Sequence, residues 1–309
     1  MRILAWNLVP ATSPIQLEGI INRSPRKVVE HQLIKQGNKY SGIFKIISRF
    51  EGPNGTTYEI QGTAFAITRS HVLTSAHNMW DRKLGPAKMA ALFLDEREDK
   101  HAQYIKTCVV VASHAKWVEV QHTDNDFCMV AIAEPFGPEV CILQCHPGLR
   151  PSGVEKATVV GFPSDLPEIA PGKHLILSEG TVTCHVSLAG VMIKHEVDTV
   201  EGNSGSPVVV DGQVVGVHSA FMHHENKNRA APVNQNGNNV DEFISALSHM
   251  DDSDTGLPGE ITYISEARGV RVFGEDMPTH ENGKGFGWRR GWEEWFNQTL
   301  VDNTNIHGY

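Results

Sequence analysis

Cysteine is sparse in this chain of 309 residues. There are five, an odd number, and no two stand in a CxxC pair. The missing pair argues against a structural zinc site, and the odd count leaves at least one thiol free or bonded to another chain. Most of the cysteines sit in apolar runs, such as Cys108-Val-Val-Val and Phe127-Cys128-Met129. These read as buried thiols and favour a reducing compartment. Basic residues are also short in supply: 27 Lys and Arg face 36 Asp and Glu, a net charge of −9. That balance argues against nucleic acid as a partner. No run of 18 apolar residues is present, so no membrane span is expected. Met1–Val9 is too short for the core of a secretory signal and no small-residue cleavage site follows it, so the cytoplasm is favoured over secretion. Internal repeats and low-complexity tracts are absent.

What remains is a balanced composition, 40% hydrophobic and 20% charged. The length suits a two-lobed body of roughly 220–250 residues with a remainder. Residues 1–35, with Pro10, Pro14 and Pro25, read as an irregular lead-in or pro-segment. Short β-type runs begin after Tyr40: Gly42–Phe50, Tyr58–Ile67, Val72–Thr74, Ala90–Leu94, Ile105–Ala112 and Phe127–Ile132. They predict a first lobe over 36–136. The connector Glu134-Pro135-Phe136-Gly137-Pro138 precedes a second strand set, and Asp211-Gly212 is a hairpin signal within it. Asn239–Met250 predicts a helix capped by Asn239, with Val240, Phe243, Ile244 and Leu247 on one face. It closes a second lobe over 137–250. An extension, 251–309, follows the acidic Asp251–Asp254 linker. Its Trp288, Trp292, Trp295, Phe296 and Leu300 read as a helical stripe that docks on the main body.

Three stretches carry chemistry. In Gly202-Asn203-Ser204-Gly205-Ser206-Pro207 a serine stands between glycines, ahead of an apolar strand. Glycine permits the sharp turn that leaves the hydroxyl exposed. The N–H groups of Gly202 and Ser204 are then candidates for an oxyanion hole. His77 follows the short strand Val72-Leu73-Thr74, and histidine, which as a residue type ordinarily titrates at about 6.5, suits a general base. Asp126 stands at the mouth of the apolar run from Phe127, where a carboxylate could orient that imidazole. Asp124 is its local competitor.

With Thr74-Ser75-Ala76-His77, Asp126-Phe127-x-x-Val130 and Gly202–Pro207 in the order His, Asp, Ser, the chain resembles the chymotrypsin-fold serine proteases over roughly residues 40–249. His195-Glu196-Val197-Asp198-Thr199 and Gly216-Val217-His218-Ser219 make it most similar to the glutamyl endopeptidase branch. The resemblance implies an all-β fold: two antiparallel six-stranded β-barrels of chymotrypsin type, a C-terminal helix and an extra tail. It also implies a serine endopeptidase acting on protein or peptide substrates, without a cofactor. Where digestive members of the family carry cysteine after the histidine, this chain has Asn78, and their neighbouring disulfide is missing. In the glutamyl branch a processed N-terminus can contribute to the pocket, which implies loss of part of 1–35.

Thr199 and His218 fall on the primary-pocket positions of that branch, and a hydroxyl and an imidazole can both donate to a carboxylate. Ser219, Ser206 and Phe221 are further substrate-side candidates. The expected cleavage is after Glu, or Asp. Asp198 beside the pocket would repel such a side chain if turned inwards, and Phe221 stands where the branch usually has glycine. His223, His224 and Glu225 have metal-ligand chemistry but no matching ligands in sequence, so no metal is expected. The competing functions are a latent or inactive binding protein on a protease fold and an esterase using the same three residues.

Overall fold

The computed structural model describes residues 2–8, 26–35, 37–52, 55–95, 106–148, 153–164, 174–187, 190–222, 225, 227–248, 250, 262–265 and 271–273. In chain order the elements are β1 (Arg2–Asn7), β2 (Lys27–Val28), α1 (His31–Ile34), β3 (Ile43–Glu51), β4 (Thr57–Ala66), β5 (His71–Thr74), β6 (Trp80–Asp81), β7 (Gly85–Pro86), β8 (Met89–Phe93), β9 (Lys106–His114) and α2 (Ala115–Val120). They continue with β10 (Cys128–Ile132), β11 (Val154–Gly161), β12 (Ile176–Ser187), β13 (Gly190–His195), β14 (Pro207–Val210), β15 (Gln213–Met222), β16 (Lys227–Pro232), α3 (Val240–Ser248), β17 (Thr262–Ser265) and β18 (Arg271–Phe273).

Both expected barrels are present. In the first, neighbouring strands run β10-β5-β4-β3-β8-β9, and a β10–β9 pairing closes the ring at six strands. In the second the order is β11-β14-β15-β16-β13-β12, closed by β11–β12. The side-chain period of two along a strand decides which residues fill which core. On β10, Cys128, Val130 and Ile132 point into the first barrel, whereas Phe127 just before it and Met129 belong to the apolar layer between the barrels. β5 divides in the same way, Val72 to one side and Leu73 to the other. The interior of the second barrel is valine-rich, with Val159, Val182, Val208, Val210 and Val215. Branched side chains of this kind pack well on a pleated surface. Helix α3 seals the layer between barrels with Phe243, Ala246 and Leu247, and the Phe243 ring meets that of Phe127 edge-on at 5.0 Å. Its capping follows expectation: Asn239 Oδ1 accepts the N–H groups of Asp241 and Glu242 at 3.0 and 3.3 Å.

The lead-in departs from the irregular segment expected. Arg2–Asn7 is a strand, β1, paired with β9. Leu4 and Trp6 enter the first barrel's core while Ile3 and Ala5 join the layer between barrels. The cause is a continuous apolar run whose two faces are both covered, a pattern that reads from sequence like a truncated leader. β17 pairs with the other edge of β1, and β18 with β17. The extension therefore contributes two more strands to the first sheet. Its tryptophan-rich stripe lies outside the described residues, as do residues 9–25. In the described residues no helix is long and apolar enough to cross a membrane.

Candidate active site

Four segments converge in the crevice between the barrels. β5 ends at Thr74, and the chain turns off the sheet into one 3-10 turn, Ala76–Asn78, which carries His77. A second such turn, Thr123–Asn125, delivers Asp126 directly ahead of β10. β10 and β5 are paired, Cys128 opposite Thr74. Two residues that follow and precede adjacent strand ends are thereby brought side by side.

Asp126 Oδ2 lies 2.6 Å from His77 Nδ1, and Oδ1 accepts the backbone N–H of His77 at 2.8 Å. The Ser219 hydroxyl donates to the same Oδ2. The carboxylate is 1% exposed, and a buried charge is tolerable only when hydrogen-bonded in this way. An ionised carboxylate can only accept, so Nδ1 carries the proton and Nε2 is left with its lone pair. Asp124, the competitor, faces elsewhere and accepts from Arg229 Nη2 at 2.7 Å. The Trp117 ring stands against the imidazole, 6.2 Å between centroids.

Ser204 occupies a run of tight turns. Asn203 N–H donates to the Val200 carbonyl (3.0 Å), Gly205 N–H to His218 (2.8 Å) and Ser206 N–H to Asn203 (2.9 Å). Among the described residues, the N–H groups of Gly202 and Ser204 have no such partner. The Glu201 carbonyl accepts from Ser164 N–H at 2.9 Å. In a trans peptide C=O and N–H point in opposite directions, so the Gly202 N–H is aimed away from Ser164. Gly202 has φ +88°, the third residue of a type II turn, and a β-carbon there would overlap the Phe162 carbonyl. The Ser204 hydroxyl makes no hydrogen bond among the described residues. Contacts between base and nucleophile are often long in unliganded sites and tighten on substrate. The serine's carbonyl is tied to the base-bearing segment, accepting from Asn78 Nδ2 at 2.9 Å. A further tie is Ser75 Oγ to the His218 carbonyl at 2.6 Å.

On the pocket side, Thr199 is half-buried in the stretch after β13 and His218 is buried on β15. His218 Nδ1 lies 3.1 Å from Nε2 of the buried His195, with the rings edge to face. Burial pushes His195 down to about 4. It also holds His218 well below the usual imidazole range, with His195 and His77 adding to the effect. Both rings are therefore neutral near pH 7. Ser219 gives its hydroxyl to Asp126, because the β15–β16 register shifts between His218 and Ala220 and re-aims the residue between them. Ser206 is fully buried against Gly161. Asp198 is about half exposed, its carboxylate 3.9 Å from Arg26 Nε. Phe221 is 46% exposed on β15, opposite Asn228. His223 and His224 lie outside the described residues, and Glu225 pairs with Lys194.

Thr63, Trp117 and Asn238 also shape the site, yet sequence reasoning passed over them. Only Asn78 carried a signal, by standing next to the histidine.

A family profile described as a trypsin-like peptidase domain matches residues 62–217. No significant match is found among curated proteins. Among solved structures, a Glu endopeptidase in complex with MPD is similar over 74% of this chain and 99% of its own, at 17% identity and TM-score 0.56. A double mutant of human heparin binding protein is similar over 76% and 99%, at 14% identity and TM-score 0.52. An inactivated protease paralogue of the scabies mite is similar over 69% and 96%, at 16% identity and TM-score 0.50. At these identities the likeness is one of fold.

Proposed function

The chain belongs to the trypsin-like peptidase family, and from that premise we propose that it is a serine endopeptidase cutting through an acyl-enzyme, with preference for Glu or Asp before the scissile bond. The observation that carries the reading is the doubly bonded contact between His77 and the buried Asp126. It leaves Nε2 free to take the Ser204 proton as Oγ bonds to the substrate carbonyl carbon. Asp126 fixes the tautomer and stabilises the imidazolium. The unpartnered N–H groups of Gly202 and Ser204 receive the oxyanion. When the tetrahedral intermediate collapses, the C–N bond breaks and His77 hands its proton to the leaving amine. Water then enters by the same route and releases the acid. Thr199 and the His218–His195 pair support the acidic preference, since an entering carboxylate gains a hydroxyl and imidazole donors. The half-exposed Asp198, beside Arg26, reduces the repulsion such a side chain would meet.

Ser204→Ala is expected to lower casein turnover by on the order of 10⁴-fold or more with an unchanged melting temperature. Equal turnover by this variant sinks the assignment. A peptide library should show cuts after Glu or Asp, and preferred cuts after Lys or Arg would overturn the pocket reading alone. The exposed Phe221 favours a second reading, a binding protein on the same scaffold. In that case the parent protein itself would leave casein intact.

A further inference from the structure

Thr63 lies on β4 in the first barrel, yet its polar groups serve the second. β4 pairs with β5 only at Phe65 and Ala66, so the edge at Thr63 is free of the ladder. Its N–H donates to the Ser204 carbonyl at 2.8 Å. Its hydroxyl donates to the Gly202 carbonyl at 2.9 Å and accepts the Phe162 N–H at 3.0 Å. Its own carbonyl accepts from Thr74 Oγ1 at 2.7 Å. Thr74 Oγ1 accepts in turn from Asn78 Nδ2, at 2.9 Å. Thr63 is fully buried, and any side chain at Gly205 would overlap its carbonyl. One residue thus bonds the carbonyls of both Gly202 and Ser204, the residues with the candidate oxyanion donors, and joins them to the strand end that leads into His77.

We infer that Thr63 is a positioning residue for the oxyanion loop, a reading that rests on Ser204 as nucleophile. Gly202 N–H can serve an oxyanion only if the peptide on each side of the glycine keeps its plane. Ser164 holds the preceding one through the Glu201 carbonyl, and the Thr63 hydroxyl holds the following one through the Gly202 carbonyl. The peptide that follows Ser204 is held by the Thr63 N–H through the Ser204 carbonyl. The hydroxyl also satisfies Phe162 N–H at the end of β11, fixing the wall against which Gly202 turns. Without the hydroxyl, two buried backbone groups lose their partner together, and the loop is free to rotate the donor away. The loss falls on the transition state, where the oxygen is charged, and hardly on substrate binding.

The test compares the parent with Thr63→Val, Thr63→Ala and Thr63→Ser, on the cleavage sequence the library selects. Thr63→Val keeps shape and removes the hydroxyl. Its kcat is expected to fall roughly 10- to 100-fold, somewhat less than for loss of a whole donor, with KM moving by less than about threefold. Ki of a peptide aldehyde of the same sequence should rise by the same factor as kcat falls, since its hemiacetal oxygen occupies the oxyanion position. Thr63→Ser should restore both. If Thr63→Val does not fold, Thr63→Ala takes its place. Parent values of kcat and Ki in the hydroxyl-free variant overturn the inference and leave the peptidase reading standing. So does a serine variant as impaired as the alanine one. A parent protein that cuts neither casein nor the library overturns the peptidase reading first, and this inference with it.

Discussion

Two imidazoles, those of His195 and His218, share one buried site, and their chemistry sets a pH limit on the fold. Unfolded, His195 and His218 each take up a proton at about pH 6.5; folded, they resist it, His195 to about 4 and His218 held well below its usual range by burial. Between those values the unfolded chain binds more protons than the native one, so stability falls as pH falls. The contribution is whole above about 6.5 and drains away towards about 4. Thermal melts at pH 7.5, 6 and 5 should show a declining midpoint, and His195→Gln should flatten the decline. An unchanged slope in the variant would mean the pair is not kept neutral. Sixteen histidines are present, and sequence singled out His77 and His218 by their motifs. The role of His195 was hidden because it depends on β13 lying beside β16, which in turn pairs with β15.

Most strands and helix α3 were legible as elements, because short branched runs broken by turn residues and an apolar face at helical spacing are local patterns. β1 was not. Its run Ile3-Leu4-Ala5-Trp6 buries on both faces, so no alternation marks it as a strand. Trp6 is fully buried and meets the Trp80 ring edge-on at 6.1 Å. Trp6→Ala should cost about 3–5 kcal/mol, measured as a shift in the urea midpoint at constant slope. A loss under about 1 kcal/mol would show that β1 is an accessory to the barrel. The same strand contacts α2, whose Trp117 flanks His77, so loosening it should also slow turnover.

The two barrels are joined by polar contacts whose partners lie far apart in the chain. Asn238 in the second lobe is fully buried. Its Nδ2 donates to the Asp124 and Pro232 carbonyls at 2.8 and 2.9 Å, and its Oδ1 accepts from Asn125 Nδ2 at 3.1 Å. Arg229 reaches Asp124 beside it. Together they hold the turn that presents Asp126. Asn238→Ala leaves those groups unpaired and should destabilise the protein by about 1–3 kcal/mol. Its kcat should fall more than its KM rises, because the acid loses its register with His77. Intact kcat in a folded variant would confine Asn238 to stability. No local pattern marks contacts of this span, which is why the triad candidates were readable as motifs and their supports were not.

Among the described residues, the junction around the serine is stitched with amides and hydroxyls. Asn78 stands directly after His77, and Gly62 makes room for it, since a β-carbon there would come within 2.6 Å of Asn78 Cγ. No two cysteines are joined among the described residues, and burial raises the thiols of Cys108 and Cys128 far out of the range where they ionise. Glutathione or dithiothreitol therefore finds, among the described residues, no disulfide to sever in this crevice.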